Sequence, residues 1–366
     1  MRRPTAIDLF CGAGGLTIGL KQAGFDVIAA LDADKTAVET YRMNHGSSSE
    51  EEDGVQVWHD LIQREGLALE IMSTVDLTPG ELDLLAGCPP CEGFSDLRTL
   101  NGKYSYEEDE KKNDLVYEYL RLVKEFEPKS IMMENVPGLA RDDRMDEVLC
   151  ELFSLGYGTE LTNRDDVLRI LDASDYAVPQ RRKRMVLIAG KGFGINFAEK
   201  AEYSRTVEDA IGHLPNPETG TEKDREEDPL HYHGEQRTEE ILNIMSRIGP
   251  GQSRRDLPRE DWLECQKNTD GFKDVYGRME RGDVAPTITS GCTNPSKGRF
   301  IHPDMDQNRA ITLREAALLQ TFPEDYEISM TRGKNKAAEL IGDALPPEFV
   351  RRHANQIRAS LLKNVR

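Results

Sequence analysis

Residues 84–95 constrain the chain more than any other stretch, and their sequence is Leu-Leu-Ala-Gly-Cys-Pro-Pro-Cys-Glu-Gly-Phe-Ser. The apolar residues before Gly87 predict the end of a buried strand. Pro89 and Pro90 then force a turn, because proline fixes φ and disfavours helix at the preceding residue. Cys91 is therefore expected on a stiff loop just past a strand end, where ligands and chemistry are found in open α/β sheets.

Three interpretations of Cys91 compete. In the first, Cys91 is a small buried residue, as cysteines commonly are. In the second, it is half of a redox or metal pair with Cys88, because the two are separated by two residues. In the third, it is a covalent nucleophile, which requires nearby positive charge or backbone N–H groups that lower the pKa of its thiol. This stretch alone leaves the first interpretation and the two chemical interpretations about evenly matched.

Length and cysteine usage restrict the class of protein. A chain of 366 residues predicts two domains. No apolar run approaches the length of a membrane span, and the first residues lack the apolar segment of a secretory signal. The six cysteines, apart from Cys88 and Cys91, are not spaced for metal binding. We therefore expect no zinc site, no disulfide framework and a cytoplasmic location.

The charge of the chain argues against a general nucleic-acid binder, because the net charge is −19 and the pI is near 4.9. The basic residues are clumped, however, notably at 181–184, 254–259 and 351–352. A positive cleft on a negative body is compatible with this pattern. Binding of nucleic acid there would weaken steeply with salt.

The first 60 residues predict a site for a nucleoside-containing cofactor. A strand at 5–10 leads into Cys11-Gly-Ala-Gly-Gly-Leu16, and a glycine-rich turn between strand and helix lets the backbone approach a ligand closely. By itself this pattern is equally typical of a plain tight turn. Asp32 ends the second strand, about 20 residues after the glycines, where a carboxylate typically binds ribose hydroxyls. Asp34 is instead predicted to cap the next helix. Asp60 is another carboxylate at a strand end.

Polar residues also follow strands in the middle of the chain. Glu134 emerges from an apolar strand and suits general-acid work, although a cap or salt bridge is the alternative. Residues 179–184, Pro-Gln-Arg-Arg-Lys-Arg, separate two predicted strands. Their side chains should converge on something anionic or polar, unless they form a solvated charge run. Residues 96–112 are charged and predict a loop. Composition alone favours an ordinary surface loop, and a closing lid is the alternative.

Strand–helix alternation stops after residue 190 and returns after 305. Glycine, proline and charged residues dominate between these positions, which predicts a second, smaller domain at 191–305. A helix returns at 311–320, with Thr312 as its cap. The predicted organisation is an α/β domain at 1–190, the smaller domain at 191–305, and a return to the first domain at 306–366.

Six motifs, in order along nearly the whole chain, together resemble those of the cytosine-5 DNA methyltransferases. They lie at Asp8–Leu16, Pro90–Ser95, Glu134–Val136, Gln180–Arg184, Arg309–Pro323 and Gly342–Pro347. The resemblance implies a Rossmann-like S-adenosylmethionine-dependent methyltransferase fold, with 191–305 as a target-recognition domain. Two positions depart from the family's common pattern, since Glu92 replaces glutamine and Asp343 replaces asparagine.

The resemblance also implies an activity, which is methyl transfer from S-adenosylmethionine to carbon 5 of a flipped-out cytosine in a specific duplex DNA sequence. Cys91 would form the covalent adduct, and Glu134 would contact ring nitrogen 3 and the exocyclic amine. Arg182 and Arg184 would hold the base carbonyl and the adjacent phosphate. The implied cofactor-binding residues are Phe10, Gly12, Gly14, Asp32, Asp60 and Pro90. No metal is expected.

The expected partner is double-stranded DNA, bound by a monomer, with a cognate restriction endonuclease as a further candidate. A near rival is a relative that methylates cytosine in tRNA. The size of the segment 191–305 and the Phe94-Ser95 ending of the catalytic motif favour DNA. A non-catalytic regulator would be expected to lose Cys91 or Glu134, and both are present. The motifs do not specify which DNA sequence is recognised.

Overall fold

The computed structural model describes residues 2–46, 54–90, 112–217, 228–232, 237–267 and 274–364. The chain divides into two compact units. The sheet unit comprises residues 1–176, 183–200 and 345–366, and the second unit comprises residues 177–182 and 201–344. Sequence pattern placed the boundaries at 190 and 305 instead, and the target-recognition role of 191–305 stays a prediction.

The sheet unit contains a mixed sheet of seven strands among the described residues, in the order β3-β2-β1-β4-β5-β7-β6. The strands are β1 Thr5–Leu9, β2 Asp26–Asp32, β3 Gln56–His59, β4 Leu84–Gly87, β5 Ser130–Asn135, β6 Leu168–Asp172 and β7 Lys183–Gly190. The pairs among β1 to β5 are parallel, whereas β7 runs antiparallel to both β5 and β6. The predicted α/β class is confirmed.

Twelve α-helices lie within the described residues of the two units. They are α1 Gly15–Gln22, α2 Lys35–His45, α3 Leu67–Thr74, α4 Leu115–Phe126, α5 Asp143–Ser154, α6 Arg164–Val167, α7 Val207–Ile211, α8 Glu239–Ser246, α9 Glu264–Lys267, α10 Leu313–Leu319, α11 Gly333–Asp343 and α12 Pro347–Asn364. None of the described helices is long and apolar enough to cross a membrane.

Short apolar runs form the sheet because they bury side chains on both of its faces, as central parallel strands do. The fully buried core residues include Ile7, Leu9, Leu85, Ile131, Met133 and Leu187. The chain passes from β1 outward to β2 and β3 and then returns to β4 on the other side of β1. This reversal opens a crevice at the carboxyl ends of the strands, where ligands bind in this architecture.

The two helix-capping residues predicted from the sequence cap their helices in the structure. The carboxylate of Asp34 caps α2 by accepting from the backbone N–H groups of Thr36 and Ala37 at 2.7 and 3.1 Å. Thr312 caps α10, and its partner Glu315 completes a capping box. Helix α3 was not predicted, although its buried residues recur at helical spacing.

The second unit has few regular elements, and buried polar groups hold it together. Its small apolar cluster includes Ile244, Met245, Ile248 and Ile301. Arg278 is fully buried beside it. The Arg278 guanidinium donates to the carbonyls of Met245, Ile248, His302 and Asp304 and to the amide oxygen of Asn308, at 2.7 to 3.2 Å.

Candidate active site

The glycine turn after β1 adopts a backbone that favours glycine. Phe10, Gly12 and Gly14 have φ of 58°, 53° and 86°. Gly14 is the residue that caps α1, so the turn delivers the first N–H groups of that helix to the end of the sheet. A Cβ placed on Gly12 would meet nothing within 4 Å, so open space faces the turn there. A ligand can therefore approach the backbone directly.

Asp32 holds this turn in place from the end of β2. One carboxylate oxygen accepts from the N–H of Gly12, and the other accepts from the N–H of Asp34, both at 2.8 Å. The backbone N–H of Asp60, just after β3, donates to the carbonyl of Asp32 at 3.1 Å. The two strand-end carboxylates predicted for the cofactor are thus brought to one edge of the sheet.

Asp60 is half-buried and has partners of its own. It pairs with Arg64, one turn further on, and it accepts from the N–H of Leu61 at 2.8 Å. Phe10 is half-buried and packs against the apolar core at the same edge. A nucleoside requires an aromatic surface to stack on, carboxylates that accept its hydrogen bonds, and open space. This edge of the sheet offers an aromatic ring, two carboxylates and an open glycine turn. The described residues fit such a cofactor.

Glu134 and Arg184 form the charged part of the site. Glu134 lies in the last part of β5, and its side chain is 8% exposed. Nε of Arg184, near the start of β7, lies 2.8 Å from Oε1 of Glu134. Because β5 and β7 are antiparallel, the end of one strand meets the start of the other. The pair keeps a carboxylate and a guanidinium at the carboxyl edge of the sheet.

Asn135 connects this carboxylate to the proline segment. Its Nδ2 donates to the carbonyl of Pro89 at 2.9 Å, and the residue is buried. Pro90 is half-buried. Cys91 lies outside the described residues, as do Glu92 and residues 96–111 of the predicted lid. The structure thus fixes the segment that leads into Cys91 against the strand that carries Glu134.

Tyr119 is a second link that the sequence did not predict. This buried residue of α4 places its hydroxyl 3.0 Å from the carbonyl of Leu85 in β4 and 3.2 Å from that of Met132 in β5. Nothing in the amphipathic pattern of α4 distinguishes this tyrosine from an apolar core residue. A polar tip on a side chain predicted to be buried is the only available signal.

Arg182 belongs to the second unit, where it is 1% exposed. Its guanidinium donates to the carbonyl of Ile288 at 3.0 Å and to that of Gly342 at 2.8 Å. Gln180 binds the side chain of Gln320 at 2.8 Å and the N–H of Ile288 at 2.9 Å. Residues from the last three of the six motifs therefore meet in one buried polar cluster.

The arginines of residues 179–184 do not share one partner. Arg181 is exposed and pairs with Asp283 at 2.9 Å, whereas Arg182 is buried against carbonyls. Arg184 instead pairs with Glu134. The expectation of a common anionic or polar target is wrong for Arg181 and Arg182 in this structure, because Arg181 binds an exposed carboxylate whereas Arg182 binds buried carbonyls. The catalytic role predicted for Arg182 stays a prediction.

No group of three or more His, Cys, Asp or Glu side chains suited to a metal ion occurs among the residues that the structure describes.

Comparisons with known proteins give a consistent result. A family model described as C-5 cytosine-specific DNA methylase matches residues 5–359. The chain is 35% identical to the Type II methylase M.HgiDII of Herpetosiphon aurantiacus, over 97% of this chain and 95% of that protein. It is 29% identical to the Type II methyltransferase M.XorII of Xanthomonas oryzae, over 99% of this chain and 86% of that protein.

A solved structure of a prophage-encoded E. coli protein, described as a DNA modification methyltransferase, superposes on this chain with a TM-score of 0.69. The two sequences are 22% identical, and the match covers 98% of this chain and 99% of that one. At this identity the likeness shows the fold alone, and the fold is the one predicted from the motifs.

Proposed function

Since the chain belongs to the C-5 cytosine-specific DNA methylase family, we propose that Cys91 is its nucleophile and that Glu134 and Arg184 hold the target cytosine. The chain is a DNA (cytosine-5-)-methyltransferase that uses S-adenosylmethionine. To this activity the proposal adds the identity of the residues that carry out the reaction. The observation that supports it best is the buried Glu134–Arg184 pair at the sheet edge beside Pro89 and Pro90.

Carbon 5 of cytosine is too weak a nucleophile to take a methyl group directly. The Cys91 thiolate adds to carbon 6, and the electron pair of the ring double bond then makes carbon 5 enamine-like. S-adenosylmethionine supplies the methyl group as an electrophilic sulfonium. Loss of the carbon-5 proton and expulsion of the Cys91 thiolate restore the aromatic ring, so the sulfur–carbon bond is made and broken within one turnover.

Glu134 contacts ring nitrogen 3 and the exocyclic amine of the base, where charge develops as the thiolate adds. This edge also distinguishes cytosine from thymine. Arg184 orients the Glu134 carboxylate through the 2.8 Å contact. Arg184 also brings the positive charge that keeps a neighbouring thiol ionised.

The proposed cofactor site is the edge formed by Phe10, Gly12, Gly14, Asp32 and Asp60, together with Pro90. The open space at Gly12 supports this assignment, since a Cβ there would occupy the approach to the turn. In this proposal Phe10 would stack near the adenine, Asp32 would bind the ribose hydroxyls and Asp60 would meet the adenine amine. Asp32 also holds the turn through the N–H of Gly12, so one carboxylate serves both purposes.

The proposed substrate is a short specific sequence in duplex DNA. The base must leave the helix, because neither face of its ring is reachable while it is stacked. We propose residues 191–305 as the reader of that sequence, in a monomer that acts in the cytoplasm. The relatives are named Type II methylases and methyltransferases. A cognate restriction endonuclease is accordingly the proposed partner in the cell.

The test is methyl transfer from labelled S-adenosylmethionine to unmodified genomic DNA and, separately, to tRNA. Wild type, Cys91→Ala and the matched control Cys88→Ala are compared, and modified cytosines are mapped by sequencing. We expect label in DNA at one short recurrent sequence, retained in Cys88→Ala and lost in Cys91→Ala. The loss should be on the order of 10⁴-fold or more, as for other covalent nucleophiles.

Other outcomes reject parts of the proposal. Label in tRNA alone would assign the chain to the tRNA-modifying rival. Loss of activity in Cys88→Ala as well as in Cys91→Ala would favour the thiol pair. Transfer that survives in Cys91→Ala would remove the covalent mechanism.

A further inference from the structure

Residues 228–232 form a strap that lies on helix α10, and both belong to the second unit. The strap lies outside the six sequence motifs. Its Leu230 is 2% exposed, and the Leu230 carbonyl accepts from the backbone N–H of Arg314 at 2.9 Å. Because the first N–H groups of a helix lack partners within the helix, this bond satisfies one of them. The backbone of the strap is therefore attached to the first turn of α10.

His231 adds two side-chain bonds, and its partners define which ring nitrogen carries the proton. Nε2 lies 2.8 Å from the carbonyl oxygen of Pro215, which can only accept, so Nε2 is the donor. Nδ1 is then the acceptor for the hydroxyl of Thr312, 3.0 Å away. The same hydroxyl accepts from the N–H of Glu315 as the cap of α10. The neutral ring thus joins the strap to the helix cap in one directed chain of hydrogen bonds.

Asp228 attaches the other end of the strap through a charged pair. Its carboxylate accepts from Nε and Nη2 of Arg314 at 2.8 and 3.1 Å. The side chains of Asp228 and Arg314 are 32% and 9% exposed. Two parallel bonds of this kind fix orientation as well as distance. Backbone, hydroxyl and ionic contacts together hold the strap on residues 312–314.

Helix α10 also holds the later part of the proposed reader. Gln320 follows the helix, and its side chain accepts from the side chain of Gln180 at 2.8 Å. Gln180 in turn accepts from the N–H of Ile288 at 2.9 Å. The strap and Ile288 flank the middle of the reader, whose described residues are 237–267 and 274–285. Both flanks are thus attached to one helix, the first at its start and the second, through Gln180, at its end.

We propose that His231 and Asp228 position the reader on α10 and thereby set how strictly the enzyme discriminates between DNA sequences. This inference rests on the proposed assignment of residues 191–305 as the reader. A contact to a base edge requires donors and acceptors held within about 0.5 Å, and a loosened strap relaxes that placement. Neither residue contacts a reacting atom in the proposed mechanism, so discrimination depends on them and the chemical step does not.

Steady-state methylation of two short duplexes tests this inference. One duplex carries the sequence that wild type methylates in genomic DNA, and the other differs from it by one base pair beside the target cytosine. Discrimination is the ratio of kcat/KM on the first duplex to kcat/KM on the second. Two variants separate the bonds of His231, since His231→Asn keeps an acceptor near the position of Nδ1, whereas His231→Gln keeps a donor near that of Nε2.

We expect discrimination to fall about three- to tenfold in His231→Gln and to stay near the wild-type value in His231→Asn, because only asparagine keeps the bond to α10. Asp228→Asn removes the charge of its pair and should lower discrimination by a similar factor. In all three variants kcat on the first duplex should stay unchanged. The matched control is His213→Asn, at an exposed histidine of the same unit that lies 3.4 Å from Glu324, and it should discriminate as wild type does.

Two results would overturn this inference alone. One is wild-type discrimination in both His231→Gln and Asp228→Asn. The other is an equal fall of kcat/KM on both duplexes, which would show that the strap only supports the fold. Methylation by wild type without any sequence preference would instead reject the assignment of the reader, and this inference with it. The two variants change different bonds of the strap, so if one fails to fold, the other decides.

Discussion

The two units of this chain stabilise themselves in different ways. The sheet unit buries continuous apolar strands under amphipathic helices. The second unit buries arginines, namely Arg182, Arg254, Arg278, Arg309 and Arg314, each at most 7% exposed. Apolar burial needs regular elements that satisfy their own backbone, whereas irregular segments leave carbonyls that need donors. A guanidinium offers five N–H donors in one rigid group.

This difference changes how the charge of the chain is interpreted. The clumped basic residues of the sequence are compatible with a basic cleft, yet several of these arginine side chains bind groups within the protein. Arg254 stacks over the ring of Trp262 with its guanidinium carbon 4.7 Å from the ring centre. Arg351 and Arg352 both pair with Glu348. Counting arginines overestimates the charge available for DNA.

The largest expected effect comes from removing the central arginine of the second unit. Arg278→Met leaves several buried carbonyls without their donor, and we expect a loss of about 3–5 kcal/mol in the free energy of unfolding. The exposed Arg255→Met is the matched control and should change stability by less than about 0.5 kcal/mol. Chemical denaturation with hydrogen exchange should show loosening of the second unit, with α1 and β1 to β5 protected. Equal effects of the two substitutions would contradict the comparison.

A carboxyl group buried within the apolar strand β1, that of Asp8, gives the next effect. Burial raises the pKa of Asp8 from its ordinary value of 3.8 to about 7 in the folded chain, so the folded state binds more protons between these values. Stability contributed by this group is therefore present at low pH and is lost as pH rises to 7. Asp8→Asn should stabilise the chain by up to about 4 kcal/mol above pH 7 and by progressively less toward pH 4.

Urea unfolding of wild type and Asp8→Asn at several values between pH 4 and pH 8 measures this difference. A stability difference that does not change with pH would contradict the assigned state of Asp8.

Alanine substitution of one buried glycine in each unit compares how tightly the two units are packed. A Cβ on Gly342 would lie 2.7 Å from the carbonyl oxygen of Thr289, and its nearest neighbours are backbone atoms. A Cβ on Gly19 would press on the Val350 side chain and lie 2.6 Å from the carbonyl oxygen of Pro347. Both alanine substitutions should destabilise by about 1–3 kcal/mol. Gly342→Ala should have the larger effect, because backbone atoms cannot rotate away, and a smaller effect in thermal unfolding would contradict this.

A polar link inside the apolar core should have a smaller effect on stability. Tyr119→Phe keeps the ring and removes the hydroxyl that lies between β4 and β5, so we expect a loss of about 1 kcal/mol. Because these strands lead to Cys91 and Glu134, kcat should fall while KM for DNA stays unchanged. Tyr157→Phe removes another buried tyrosine hydroxyl, bound to the carbonyl of Pro128, and serves as the control. A fall in kcat of the same size in both variants would remove the positioning role.

The smallest effect is expected at an exposed pair of the second unit. Arg181 and Asp283 lie 2.9 Å apart with side chains 62% and 48% exposed. Arg181→Ala should change the free energy of unfolding by less than about 1 kcal/mol, because solvent screens such pairs. A larger loss in denaturant unfolding would show that exposed arginines of this unit also support its fold.

The sheet unit could be predicted well from the sequence, because its strands and helix caps are set by residues that lie close together in the chain. Apolar runs bounded by glycine, proline and acidic residues identified the strands, and Asp34 and Thr312 were recognised as helix caps. The carboxylates of Asp32 and Asp60 were placed at strand ends, where the structure has them. In this fold class the ends of parallel strands lie side by side. The placement of both carboxylates at one edge of the sheet could therefore be predicted as well.

The second unit could not be predicted in the same way, because its contacts join residues far apart in the chain. Arg182 and Gly342 are 160 residues apart, and no local pattern indicates their bond. A buried arginine and a DNA-facing arginine look identical in sequence. Asp8 interrupts an apolar strand, but its partners Thr17 and Tyr41 become evident only once the helices are in place.

The most direct test of the account is capture of the covalent adduct on duplex DNA that carries 5-fluorocytosine, in the presence of S-adenosylmethionine. Fluorine cannot leave carbon 5 as a proton does, so the thiol cannot be expelled after methyl transfer. We predict a stable protein–DNA complex, mapped by mass spectrometry of its peptides to Cys91, formed by wild type and Cys88→Ala and absent in Cys91→Ala. A complex mapped to another residue, or methyl transfer to ordinary DNA with no trapped complex, would contradict the account.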